Sequence, residues 1–217
     1  MPRITIITGI IVAGACAGFS QGLPNITINA GRLQATVSFR TEQVKGSSCA
    51  VVEGCVNGAG KRKLMRFDVQ TPNIGTADLY FGNPANNPIF EFSPCHGHYH
   101  LDGYALYELL NLNGTPVLVN GRGVIGHKQA FCLLDSVKVD AAAGPAKYNC
   151  SNQGISVGWS DVYDASLDCQ WIDVTGVPAG NYLLRVTING GANGPHVFAE
   201  SNYNDNTATV PVTVPRR

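Results

Sequence analysis

Apolar and polar residues alternate with a period of two along much of the chain, the spacing of a strand that buries one face. Residues 25–44, "NITINAGRLQATVSFRTEQV", predict two strands broken at Gly31. Residues 63–82 predict a strand, a turn at Pro72-Asn73-Ile74-Gly75 and a shorter strand, and "NPANNP" at 83–88 is loop by composition. The apolar runs 101–112 and 115–121 flank Asn113-Gly114, a strong short-range hairpin signal. Residues 126–139 predict another strand. Residues 140–169 keep neither period and predict loop with one short helix at most, whereas 170–176, 181–188 and 207–214 predict closing strands. No repeat, internal boundary or helical stripe of about 12 residues interrupts this pattern. It predicts a mainly β fold, a single antiparallel β-sandwich-like domain with long loops and few short helices.

Composition narrows the picture. The 217 residues suffice for one domain with a real core. Fifteen basic and fifteen acidic side chains cancel, so no charge bias argues for nucleic acid as a partner. Met1-Pro2-Arg3 followed by "ITIITGIIVAGA" has the form of an export signal, too short for a settled membrane span. Ala15-Cys16-Ala17 offers a cleavage site, with cleavage after Gly22 competing, so 1–22 is assigned to the signal and 23–217 to the mature domain. A minority reading takes "AGAC" as a lipoprotein box that would anchor the chain through Cys16. No second long apolar segment predicts a membrane span, and a secreted protein is expected. Of the seven cysteines, Cys16 falls in the signal. The even set Cys49, Cys55, Cys95, Cys132, Cys150 and Cys169 predicts disulfide bracing, in any of fifteen pairings.

The stretch with the clearest chemistry is Cys95-His96-Gly97-His98-Tyr99-His100, "CHGHYH", which holds three of the five histidines. In an extended segment residues i, i+2 and i+4 share a face, so a strand or tight loop here presents three imidazoles together. Neutral imidazoles suit copper, zinc, iron or nickel, with first-row affinity peaking at copper(II). The motif alone does not choose the metal. A solvated histidine run or tag fits poorly, because the motif lies mid-chain between "PIFEF" and "YALYELL".

From about Pro24 to about Asn206 the chain resembles the catalytic domain of the lysyl oxidase family, copper amine oxidases that build their own quinone. The resemblance rests on "CHGHYH", "GHKQAFCL" at 126–133, "GISVGWSDVY", "DCQWIDVTGVPAGNY", the head "PNITINA" and the tail "ESNYNDN". It implies that His96, His98 and His100 ligate copper(II), and that Lys128 and Tyr163 cross-link into lysyl tyrosylquinone. Taken alone, these two would be an ordinary surface lysine and an ordinary core tyrosine. The implied reaction is oxidative deamination of a primary amine, a peptidyl lysine or a small amine, to an aldehyde with release of hydrogen peroxide and ammonia. Lysine side chains of extracellular proteins are among the implied substrates. Asp161, two residues from Tyr163, and His127, beside Lys128, are the candidate general bases, with Asp161 preferred.

The resemblance also implies a calcium site at Asn25, the Ile26 carbonyl, Glu200, Asn202, Asp205 and Asn206, an oxygen-only set. It implies the disulfides Cys49–Cys55 and Cys95–Cys150, which leaves Cys132 to pair with Cys169. Two other classes compete: a non-catalytic extracellular copper-binding β-domain, and a zinc hydrolase using three histidines and a water. Neither has a use for Lys128 and Tyr163.

Overall fold

The computed structural model describes residues 22–127 and 132–216. The predicted signal and its alternative lipidation site at Cys16 therefore lie outside the described residues. Among the described residues, helices are confined to α1 (Ala30–Thr36), α2 (Cys49–Val52) and a 3-10 turn at Pro84–Asn86. The strands of the first half are β1 (Ser38–Val44), β2 (Gly60–Arg66), β3 (Val69–Pro72), β4 (Leu79–Gly82), β5 (Phe90–Ser93), β6 (His98–Leu101) and β7 (Ala105–Leu110). Those of the second half are β8 (Leu118–Val119), β9 (Arg122–Gly123), β10 (Ile125–His127), β11 (Val137–Lys138), β12 (Gln153–Ile155), β13 (Trp159–Tyr163), β14 (Trp171–Asp173), β15 (Gly180–Ile188) and β16 (Thr207–Val214).

A four-stranded antiparallel sheet, β10-β7-β15-β16, forms one layer. Opposite it lie two three-stranded sheets, β1-β2-β14 and β11-β13-β3. β14 packs over β10 and β7, and α1 bridges β16 and β3. The layers meet in one core that includes Met65, Phe67, Tyr107, Leu109, Ile172, Leu184, Val186 and Val210. β16 shows why such segments are legible: Ala208, Val210, Val212 and Val214 are buried while the residues between them face out. β16 is also an edge strand, and the missing N–H of Pro211 is tolerated there. The expected mainly β, disulfide-braced fold with few short helices is what the chain adopts.

Three local expectations need correction. The first predicted strand is instead an extended lead into α1. Asn29 caps α1 by accepting from the Arg32 N–H at 3.0 Å, and a seven-residue helix is too short to leave a stripe. The span 140–169 holds β12 and β13, and no helix occurs among its residues. β13 escaped notice because Ser160 and Asp161 are buried beside Tyr163, which erases the apolar alternation. The disulfides are Cys49–Cys95, Cys55–Cys169 and Cys132–Cys150, not the three expected pairs. The turn of α2 sends Cys49 toward the β5–β6 hairpin and leaves Cys55 near β14, so the short spacing between them does not become a bond.

Close approach shapes β10. A Cβ on Gly126 would stand 2.4 Å from the Trp171 carbonyl oxygen, so only glycine lets β10 lie against β14 at this point.

Candidate metal and quinone site

The three histidines come together, though not as one uninterrupted strand. His98 and His100 alternate on β6, whereas His96 lies in the turn after β5. Gly97 adopts a positive φ of 71° and donates its N–H to the Ser93 carbonyl at 2.8 Å, folding His96 back over the hairpin. Tyr99 points to the opposite face and packs edge-on against Phe92, with ring centroids 5.2 Å apart. The imidazole centroids are 5.1 to 5.7 Å apart, and one ring nitrogen from each lies within 4.8 Å of the others. Ligands at about 2.0–2.1 Å from one ion cannot be more than about 4.2 Å apart, so binding needs only a slight inward closure. His96 Nε2 is buried and has no hydrogen-bond partner among the described residues. A buried, unpartnered imidazole nitrogen facing two more rings fits a late first-row metal.

Glu53, which sequence reasoning missed, places Oε2 2.8 Å from His96 Nδ1. A cavity of about 410 Å³ opens beside the hairpin, lined by Val52, Glu53, Glu91, Phe92, His100 and Asp102. Among the described residues, no lysine or arginine lines this cavity to face its three carboxylates.

Tyr163 ends β13 almost wholly buried, at 1% exposure. Burial, then the nearby Asp161 charge, raises its phenol well above the usual range, and Asp161 accepts a hydrogen bond from it. Asp161 Oδ1 also accepts from Ser136 Oγ at 3.0 Å and from the Val162 N–H at 2.8 Å. The Tyr163 hydroxyl lies 3.4 Å from the Cys132 carbonyl oxygen, and its ring is 6.2 Å from that of Tyr104. Tyr104 lies three residues beyond the end of β6, so the chain leaving the histidine hairpin contributes to the wall around this phenol. Lys128 lies outside the described residues. His127 is described only by its backbone, which closes β10 opposite Leu106.

The oxygen set of the second expected site is brought together in large part. Glu200 Oε2 accepts from the Ile26 N–H at 2.6 Å, while Oε1 accepts from Asn189 and Asn206 side chains at 2.7 Å each. Asn25 Nδ2 donates to Asp205 Oδ2 at 3.0 Å. Asn25 Oδ1, Asp205 Oδ1 and Asn206 Oδ1 are buried without a hydrogen-bond partner among the described residues. Such oxygens are costly to leave unpaired, and an oxygen-loving cation would satisfy them. Asn202 departs from the set, since its Oδ1 accepts from the Asn204 N–H at 3.0 Å.

The class these observations define is a mainly β, disulfide-braced domain that gathers three imidazoles and also buries a phenol beside a carboxylate. A sequence profile of the lysyl oxidase family matches residues 24–215, so the chain belongs to the lysyl oxidase family. It is 37% identical over 207 residues to lysyl oxidase homolog 2 of Gallus gallus, covering 89% of this chain and 25% of that protein. Against lysyl oxidase homolog 2 of Homo sapiens it is 36% identical with the same coverage. Lysyl oxidase homolog 3B of Danio rerio is 36% identical over 200 residues, 86% of this chain and 23% of that protein. The chain thus spans about a quarter of the length of these relatives. No helix among the described residues is long and apolar enough to cross a membrane.

Proposed function

We propose that the chain is a secreted amine oxidase using copper(II), held by His96, His98 and His100, and a quinone formed from Lys128 and Tyr163. The observation that carries this reading is the convergence of the three imidazoles in the domain that also buries the Tyr163–Asp161 pair. The net reaction turns a primary amine, oxygen and water into an aldehyde, ammonia and hydrogen peroxide. When present, the copper and quinone supply the redox chemistry, and the protein supplies position and electrostatics.

The chain's own residues have definable parts. The raised phenol of Tyr163 keeps its proton at neutral pH, and Asp161 holds that hydroxyl in one orientation. Asp161 is the better-supported proton acceptor of the two candidates, because its carboxylate is buried and directed at Tyr163. Lys128 precedes Cys132 by four residues, a reach of at most about 14 Å, and the Cys132 carbonyl touches the Tyr163 hydroxyl. The carboxylate-lined cavity beside His100 suits an incoming alkylammonium, of which a lysine side chain or a small amine is an example. Three disulfides support an oxidising compartment outside the cytosol. The unpaired oxygens of Asn25, Asp205 and Asn206, with Glu200 among them, are proposed to hold calcium.

Peptide mass spectrometry of copper-loaded protein tests the reading. A covalent link between the Lys128 and Tyr163 peptides, together with peroxide release from lysine-containing peptides or alkylamines, is expected. Separate, unmodified peptides after copper and oxygen exposure would leave a metal-carrying β-domain and no oxidase.

A further inference from the structure

Glu53 is separated by more than forty residues from the histidine motif, yet its carboxylate reaches the rim of the metal site. The local sequence explains how. Cys49 and Glu53 are four residues apart across α2, and the Glu53 N–H closes the helix by bonding to the Cys49 carbonyl at 2.9 Å. That spacing sets both side chains on one face of the helix. Cys49 is bonded to Cys95, the residue before His96, so the same face that carries the disulfide presents Glu53 to His96. A second disulfide, Cys55–Cys169, fixes the chain two residues beyond Glu53. The crowding of Glu53 against those two sulfurs is no metal site, because the sulfurs are bonded to each other.

The carboxylate is held from both sides. Ser93 Oγ donates to Glu53 Oε1, and the same Oγ accepts from the His96 N–H at 3.1 Å. Glu53 Oε2 stands 2.8 Å from His96 Nδ1, and the two side chains are 16% and 6% exposed. The two atoms are close enough for a hydrogen bond but do not form an aligned one in this structure. Of the two ring nitrogens, both buried, only Nδ1 has a carboxylate at 2.8 Å, so the tautomer that places its proton toward Glu53 presents the lone pair for a metal on Nε2.

We infer that Glu53 is a positioning residue for the metal centre, which with Ser93 fixes the ring orientation and tautomer of His96 so that Nε2 is its ligating atom. This rests on the reading of the three histidines as a copper site. A carboxylate in this position also makes the imidazole a stronger donor, and loss of such a partner lowers metal affinity by about 10–100-fold.

The test compares wild type, Glu53→Ala, Glu53→Gln and Ser93→Ala, each isolated with its disulfides intact. Copper(II) affinity is read by competition with a chromophoric chelator, and site geometry by electron paramagnetic resonance. Wild type is expected to bind one copper tightly at this site with a single spectrum. Glu53→Ala is expected to lose about 10–100-fold in affinity and to give an altered or mixed spectrum. Glu53→Gln, which keeps an acceptor but drops the charge, is expected to fall between the two. A purely structural role would lower the melting point of copper-free protein while leaving affinity and spectrum unchanged, and that result overturns the inference. If Glu53→Ala does not fold, an unchanged affinity and spectrum in both Glu53→Gln and Ser93→Ala overturns it equally. Failure of wild type to bind copper would sink the copper reading itself, a different outcome from tight wild-type binding that Glu53 does not influence.

Discussion

Replacing both Cys55 and Cys169 by alanine is the sharpest test of how this domain is braced. The bond closes a separation of 114 residues, and chain entropy for a loop of that length corresponds to about 4.8 kcal/mol. The other two bonds shorten the path in the unfolded chain. It runs back to Cys49, across to Cys95, along to Cys132, across to Cys150 and on to Cys169, roughly 64 residues in all, which lowers the figure to about 4.3 kcal/mol. Both sulfurs adjoin a small apolar cluster of Val44, Val56, Leu64 and Trp171, and alanine keeps most of that packing. The expected loss is therefore about 4 kcal/mol, and with a urea slope of about 2 kcal/mol/M the midpoint falls by about 2 M. Equilibrium urea unfolding followed by tryptophan fluorescence measures it, alongside disulfide mapping of the unreduced wild type. A loss under about 1 kcal/mol, or a map showing Cys49 bonded to Cys55, would refute the bracing described here.

Tyr163→Phe should abolish both the cross-linked peptide and peroxide release, and destabilise the copper-free protein by about 1–3 kcal/mol because the buried Asp161 loses a donor. Calcium should raise the thermal midpoint, and Asn206→Ala should blunt that rise; a midpoint indifferent to calcium and to chelator would remove the second site. Burial tends to raise the Asp78 carboxyl, but its bonds from Lys147 at 2.7 Å, the Val157 N–H at 2.9 Å and Tyr148 at 2.9 Å hold it below 3.8. A carboxylate depressed in the folded state stabilises fully above its unfolded value and loses that contribution as pH falls through the folded one. Asp78→Asn should therefore lower the urea midpoint at pH 7, with the gap from wild type closing below about pH 4. An equal gap at pH 7 and pH 3 would contradict this.

The parts of the fold that could be read from the sequence share one property: one face is buried and the other is wet. The alternation in β15 and β16 follows from that, and so does the hairpin around Asn113-Gly114, where the Val117 N–H returns to the Leu109 carbonyl at 3.0 Å. β13 was hidden because burial on both sides places Ser160 and Asp161 inside. The histidine cluster was legible as a group, yet the alternate spacing accounts for His98 and His100 only; His96 arrives through a glycine turn that periodicity does not encode. Disulfide partners and Glu53 are invisible to spacing, since they depend on where α2 docks against a hairpin far along the chain. The oxygen cluster around Glu200 was reachable only through family resemblance, because its members are scattered over both ends of the sequence.

Pro211 has a consequence beyond its own rung in the sheet. An outermost ribbon with a full set of unpaired amides invites neighbouring molecules to add on strand by strand, the first step toward insoluble stacks. β16 is such a ribbon, eight residues long and at the margin of the largest sheet. One ring-locked residue in its middle withdraws a donor from the outward side, which discourages copies of this domain from zipping together at high local concentration.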